Sequence, residues 1–298
     1  LGSPRLHLVC QKIPLAWHLS ASSMDARKQV QTYYLVAMED KMADKRQIAV
    51  FVGHGDPMMA LRNDDVAHGL RAMGEKLLAD APRAILAVSA HWFTRGTLVQ
   101  SDPTPRQVND MYGFPPELYA IKYRPAGNAD LTARVQELLG SDVEVDDTWG
   151  IDHGVWTPLH HMLPAANVPV VELSVNALGD ARYAYDLGRR LAPLRDEGFV
   201  VLGSGNVVHN LREVEWDNPA GTKACNEFDA AVRAAVEARD DEKVINYERL
   251  PHASYAVPTP DHFLPLLTVL GASQGEKPEV FNDVRNLGAI SMTSYAFE

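Results

Sequence analysis

The 298-residue chain is poor in cysteine, short of basic charge and without any long apolar run. Its two cysteines, Cys10 and Cys225, stand far apart and belong to no C-x-x-C pair. That excludes a disulfide framework and a zinc finger, and a reducing cytoplasm is the compartment that fits. Lys and Arg number 28 against 39 Asp and Glu, for a formal charge of -11. A nucleic-acid binder would carry a basic footprint, and anionic membranes would repel such a chain. No apolar stretch approaches the roughly 18 residues of a membrane span. Several catalytic signatures are missing as well. The sequence contains no G-x-x-x-x-G-K-[ST] phosphate loop, no G-x-S-x-G nucleophile elbow and no H-E-x-x-H zinc helix. GSGNVV at 203–208 lacks the G-x-G-x-x-G spacing of a dinucleotide fold.

What the chain does have is a hydrophobic content of 46%, ample for a sizeable core. Residues 1–46 show no clean period in their first half, no convincing secretory signal, and three internal methionines (Met24, Met38, Met42) that would each serve as a start. This segment reads as an N-terminal extension outside the working domain. From residue 47 the pattern is regular. QIAVFVG, AILAVSAHW (84–92), VPVVELSV (168–175) and FVVLGSGN (199–206) are short apolar, β-branched runs that read as buried strands. Helical stripes fall at Asp64–Asp80, Asp130–Leu139 (with Asn128 or Asp130 as cap), about Ala181–Leu194, Cys225–Arg239 and His262–Leu270. Strands alternating with amphipathic helices predict a single α/β domain over 47–298, its mainly parallel or mixed sheet covered by helices on both faces.

Five of the eleven histidines fall at strand ends, in a loop or at a helix start: His54 in VGHGDP, His91 in VSAHWF and His209 in GSGNVVHN after strands, His153 in the loop GIDHGVW, and His262 opening a helix in PTPDHF. Ligands gather at the carboxyl ends of strands in open α/β sheets, so residues distant in sequence converge there. A lone loop histidine is more often a surface or structural residue. Four or five together, beside Gly53, Gly55, Gly154, Gly203 and Gly205, shift the balance to a metal site, since glycine permits tight turns and close backbone approach. His160 and His161 read as helical, His68 and His252 as solvated or supporting residues, and His7 and His18 lie in the extension.

Six segments in order, GHGDPM (53–58), SAHWF (89–93), YGFPPELY (112–119), WGIDHGVW (149–156), SGNVVHNLR (204–212) and PTPDHFLPLL (258–267), resemble the 4,5-DOPA extradiol dioxygenases, a class III family related to the catalytic subunit of protocatechuate 4,5-dioxygenase. The resemblance covers residues 47 to 298. It implies one α/β domain and O2-dependent opening of a catechol ring to a semialdehyde. It also implies one divalent metal on His54, His91, His209 and His262, with Fe(II) for catalysis and zinc often bound in bacterial members. His153 matches a further pocket histidine. The expected partners are a small catechol and O2, and the expected assembly is a monomer or small homo-oligomer.

Ring opening also needs an acid/base group of near-neutral pKa. His153 is the first candidate and His209 the second, because four protein ligands would leave little room for catechol and O2. Tyr112, Phe114 and Trp92 are candidate walls for the aromatic ring, with core packing the plainer reading of Trp92. Asn206 either orients a ligand or satisfies the backbone of its turn. Where the family commonly has GHGSP, this chain has Asp56, a carboxylate that either meets the metal region or turns away. Two other readings use the same residues: a zinc-type hydrolase activating water, and a non-catalytic binding protein of the same superfamily.

Overall fold

The structure, a computed structural model, describes residues 46–298, and these belong to one compact unit. Residues 1–45 of the N-terminal extension, with Cys10, His7, His18 and the three internal methionines, lie outside the described residues. The strands are β1 Ala49–Gly53, β2 Ala84–Thr94, β3 Thr97–Val99, β4 Val143–Val145, β5 Val170–Asn176, β6 Phe199–Gly205, β7 Pro278–Phe281, β8 Arg285–Asn286, β9 Ile290–Ser291 and β10 Ser294–Phe297. The principal helices are α1 Asp65–Ala79, α2 Ala129–Leu139, α3 His153–Met162, α4 Ala181–Leu191, α5 Lys223–Ala238 and α6 Leu264–Ala272.

Eight strands form one sheet in the order β4-β3-β5-β2-β6-β1-β10-β7, and β8 and β9 make a separate small ribbon. The central four, β5, β2, β6 and β1, are parallel. β10 pairs antiparallel with β1 and β7, and β3 pairs antiparallel with β5, so the sheet is mixed. Its parallel centre is the part the apolar runs predict. The short flanking strands carry too few residues for any period to show.

Both faces of the centre are buried, and the strand alternation divides the core in two. Phe51, Leu86, Val88 and Val201 point to one side, where α2, α4, α5 and α6 pack. Val50, Val52, Ile85, Ala87, Val200 and Leu202 point to the other, against α1 and α3. Successive side chains of a strand face opposite ways, so a strand covered on both faces must be apolar at every position. α6 is buried at all nine positions, as a helix apolar all round must be. The amphipathic helices begin where a side chain can take up a free backbone N–H: Asp64, Asn128, Asp180 and Thr222 each accept one from the first turn.

Two details of the predicted elements change. His153 is the first residue of α3 rather than a loop residue, with the Asp152 carbonyl accepting from the amides of Val155 and Trp156. His262 lies in the turn before α6, which starts two residues later. Among the described residues, no helix is long and apolar enough to cross a membrane.

Candidate metal and catalytic site

The carboxyl ends of β1, β2 and β6 bring the histidines together. His54 follows β1, and its amide donates to the Gly205 carbonyl at the end of β6. His91 sits where β2 breaks register with β5: Ser89 pairs with Ser174, and the next pair is Phe93 with Val175. Residues 90–92 are therefore extra on one strand, and such a bulge re-aims side chains beside a site. His262 arrives through a backbone approach only glycine allows. A Cβ on Gly205 would lie 2.1 Å from the His262 carbonyl oxygen, which accepts from the Asn206 amide at 2.9 Å. None of the five site glycines has a positive φ, and close backbone approach explains Gly53, Gly203 and Gly205, where a Cβ would meet backbone atoms at 2.6, 2.6 and 2.1 Å.

The result is a packed group of rings. Centroids of His54 and His91 are 4.7 Å apart, His54 and His262 5.1 Å, His91 and His262 5.3 Å, and His91 and His153 4.2 Å. One ligating atom from each of His54, His91 and His262 lies within 4.8 Å of the others. His209 is outside that threefold group. Its ring lies flat on His262, with centroids 3.5 Å apart and planes 7° from parallel.

Hydrogen bonds fix which nitrogens face inward. Ser204 Oγ donates to the Gly154 carbonyl and so accepts from His54 Nδ1 at 2.9 Å. His262 Nδ1 is bonded to the Asp261 carboxylate. In both rings Nδ1 then carries the proton and Nε2 keeps its lone pair. Both Nε2 atoms are buried and have no protein partner. Two orphaned, deprotonated nitrogens beside a third histidine are what a divalent ion requires. Burial, reinforced by neighbouring imidazoles, holds His54 well below its ordinary pKa. Burial lowers His262 too, although Asp261 opposes it, and pushes His209 down to about 2. These rings are neutral at neutral pH, the state in which imidazole binds metal.

A second set of contacts adjoins the first. Asp110 Oδ1 accepts from both the backbone amide of His153 and its Nδ1, at 2.9 and 2.8 Å. Its other oxygen lies 2.9 Å from His91 Nδ1, off the line a hydrogen bond needs. Burial would raise Asp110, but the two histidines outweigh it and hold the carboxyl far below the usual range. Burial likewise opposes charge on His91, and the Asp110 and Asp152 carboxylates overcome it and raise that ring. Asp152 is fully buried, accepts from Ser89 Oγ and Trp149 Nε1, and leaves Oδ1 3.7 Å from His91 Nδ1. Behind it Glu172 is fully buried, and burial with the nearby Asp152 pushes its carboxyl well up.

Asp110, Asp152, Ser204 and Glu172 escape the sequence reading. Asp152 and Ser204 lie inside quoted motifs, but a single carboxylate or hydroxyl carries no periodic signal. Asp110 has only its place two residues before Tyr112 to mark it. The other expectations resolve plainly. Tyr112 is 92% exposed, Trp92 is buried, and Phe114 packs on an apolar cluster. Asn206 Nδ2 donates to the carbonyls of His54 and Ser291, the backbone role. Asp56 turns away: it caps the turn Pro57–Leu61 and bonds Arg62 at 2.7 Å and Asn286 at 3.1 Å. His161 bonds the Met59 carbonyl, while His68 and His252 pair with surface carboxylates.

Fold and site together define an α/β protein with a buried imidazole cluster at the carboxyl end of its sheet, suited to one metal ion. A family profile described as "Catalytic LigB subunit of aromatic ring-opening dioxygenase" matches residues 48–298. The chain belongs to this family of ring-opening dioxygenases. It is 39% identical over 260 residues to the 4,5-DOPA dioxygenase extradiol of Escherichia coli (strain K12), covering 85% of this chain and 95% of the relative. It is 36% identical over 262 residues to the protein of the same name from Beta vulgaris, covering 83% and 95%. A crystal structure of an uncharacterised Escherichia coli K12 protein superposes with a TM-score of 0.74 at 36% identity, covering 85% of this chain and all of that one.

Proposed function

We propose that the chain is an Fe(II)-dependent extradiol dioxygenase that opens the ring of a catechol such as L-DOPA to a semialdehyde, both atoms of O2 entering the product. The observation that carries this reading is the pair of buried, partnerless Nε2 atoms of His54 and His262 beside His91 and the Asp110–His153 pair. His54, His91 and His262 would hold the ion, leaving open positions for a bidentate substrate. When bound, the metal supplies the redox and Lewis-acid chemistry that ring opening by O2 demands. Zinc has no accessible second oxidation state, which is why iron is proposed for turnover.

The protein's own residues do the rest. Asp110 accepts a hydrogen bond from His153 Nδ1–H, so His153 Nε2 carries the lone pair that accepts a catechol hydroxyl proton. His209, kept neutral by burial and stacked on His262, stands beside the ligand set as a second acid/base group. DOPA as substrate rests on the names of the relatives.

The test is anaerobic loading with Fe(II), addition of L-DOPA or a simple catechol, then admission of O2. O2 uptake with a yellow product supports the reading, and the zinc-loaded protein should show none. An absence of uptake across a panel of catechols, with iron bound, overturns it.

A further inference from the structure

Asp110 touches both halves of the site. One carboxylate oxygen receives the amide and the Nδ1 proton of His153, and the other lies 2.9 Å from His91 Nδ1. Its side chain is only 16% exposed although it comes from a loop outside the regular elements. The centroids of the two rings it joins are 4.2 Å apart. We propose that Asp110 is a positioning residue that couples the two functions of the site, aiming His91 at the metal and fixing the tautomer of His153, from a single carboxylate. This rests on the proposed roles of His91 and His153.

The geometry gives the reason for a carboxylate here. Both histidines present Nδ1 to Asp110, and a group that only accepts can face two N–H donors at once. An amide cannot, because one of its two terminal atoms is itself a donor. Fixing the proton on His153 Nδ1 leaves its opposite nitrogen as the lone-pair atom, free for substrate. On His91, 2.9 Å away without hydrogen-bond alignment, the carboxylate acts through its charge and its position. Carboxylates behind metal-bound imidazoles typically account for about 10–100-fold in metal affinity or activity. Asp152, the other carboxylate near His91, lies farther away at 3.7 Å and is already engaged by Ser89 and Trp149.

The experiment compares wild type with Asp110→Ala by two readouts that need no turnover. Zn(II) affinity by competition with a chelating dye reports on His91. Ring-nitrogen chemical shifts of 15N-histidine-labelled apoprotein, assigned through a His153→Gln control, report the His153 tautomer. The expected result is a loss of affinity of about 10–100-fold together with loss of the single Nδ1–H form of His153. A change in one readout only, or in neither, overturns the shared role. Should the alanine variant not fold, as judged by circular dichroism, Asp110→Asn serves: it can satisfy one histidine at a time, so at least one readout must move, and none moving overturns the proposal. Failure of the dioxygenase reading is seen separately, as absence of O2 uptake by the iron-loaded wild type.

Discussion

At the amino end of the parallel strands Arg195 is fully buried, and each of its three nitrogens has a partner. It donates to the carbonyls of Gln47, Ala272 and Phe297 at 2.6, 3.0 and 3.0 Å and to Glu276 at 2.6 Å. At the carboxyl end one buried nitrogen each of His54, His91 and His262 and one oxygen of Asp152 have no hydrogen-bond partner. Both ends are polar groups packed into an apolar sheet, but only one is satisfied by the protein itself. A buried polar atom left unpaired costs on the order of 1–3 kcal/mol, so natural chains keep few of them. Where several cluster, the protein has exchanged stability for a place that a ligand completes. The amino end fastens the chain, and the carboxyl end presents unpaired donor atoms.

The comparison breaks most sharply at His262. His262→Ala removes one of the three orphaned histidine nitrogens, so metal content by atomic emission and O2 uptake should fall together to background. Full metal occupancy in that variant would remove His262 from the ligand set. Next is His153→Ala, which leaves the threefold group intact. Turnover should drop by about 10²–10⁴-fold while bound metal stays near one per chain. Loss of the metal instead would make His153 a ligand.

The satisfied end is tested by Arg195→Met. Three buried carbonyls lose their donor, which should lower stability by about 3 kcal/mol and the melting temperature of the apoprotein by roughly 6–12 °C. Metal stoichiometry should not change. A shift of under about 2 °C would mean that the amino end does not fasten the fold. The smallest effect is expected from Asp56→Ser. Serine caps the same turn, and the partly exposed pair with Arg62 contributes no more than about 1 kcal/mol. Metal content and turnover should stay at wild-type levels. A large change in either would put Asp56 back beside the reacting groups.

The parallel centre was legible because burial on both faces leaves unbroken apolar runs, as in AVFVG and FVVLGSG. The other strands were not: β3 and β4 have three residues each, β7 is only partly buried, and β8 and β9 of the separate ribbon have two each. In the site, the histidines could be read because imidazole is chemically distinctive and stands beside glycine at strand ends. Their division of labour could not. His209 and His262 look alike in sequence, yet one lies flat against the other and only His262 joins the group with His54 and His91.

By itself, then, the sequence determined the parallel core, its helical covering and the set of histidines gathered at one end of the sheet. Those follow from periodicity and residue chemistry, which are local properties. Only the tertiary structure decided which nitrogens face inward, that Asp56 turns away, and that Asp110 reaches two histidines at once. These depend on contacts between residues from different loops, for Asp110 and His153 43 positions apart. No local pattern encodes such a distance, because it is set by how the strands stack and where β2 breaks its register.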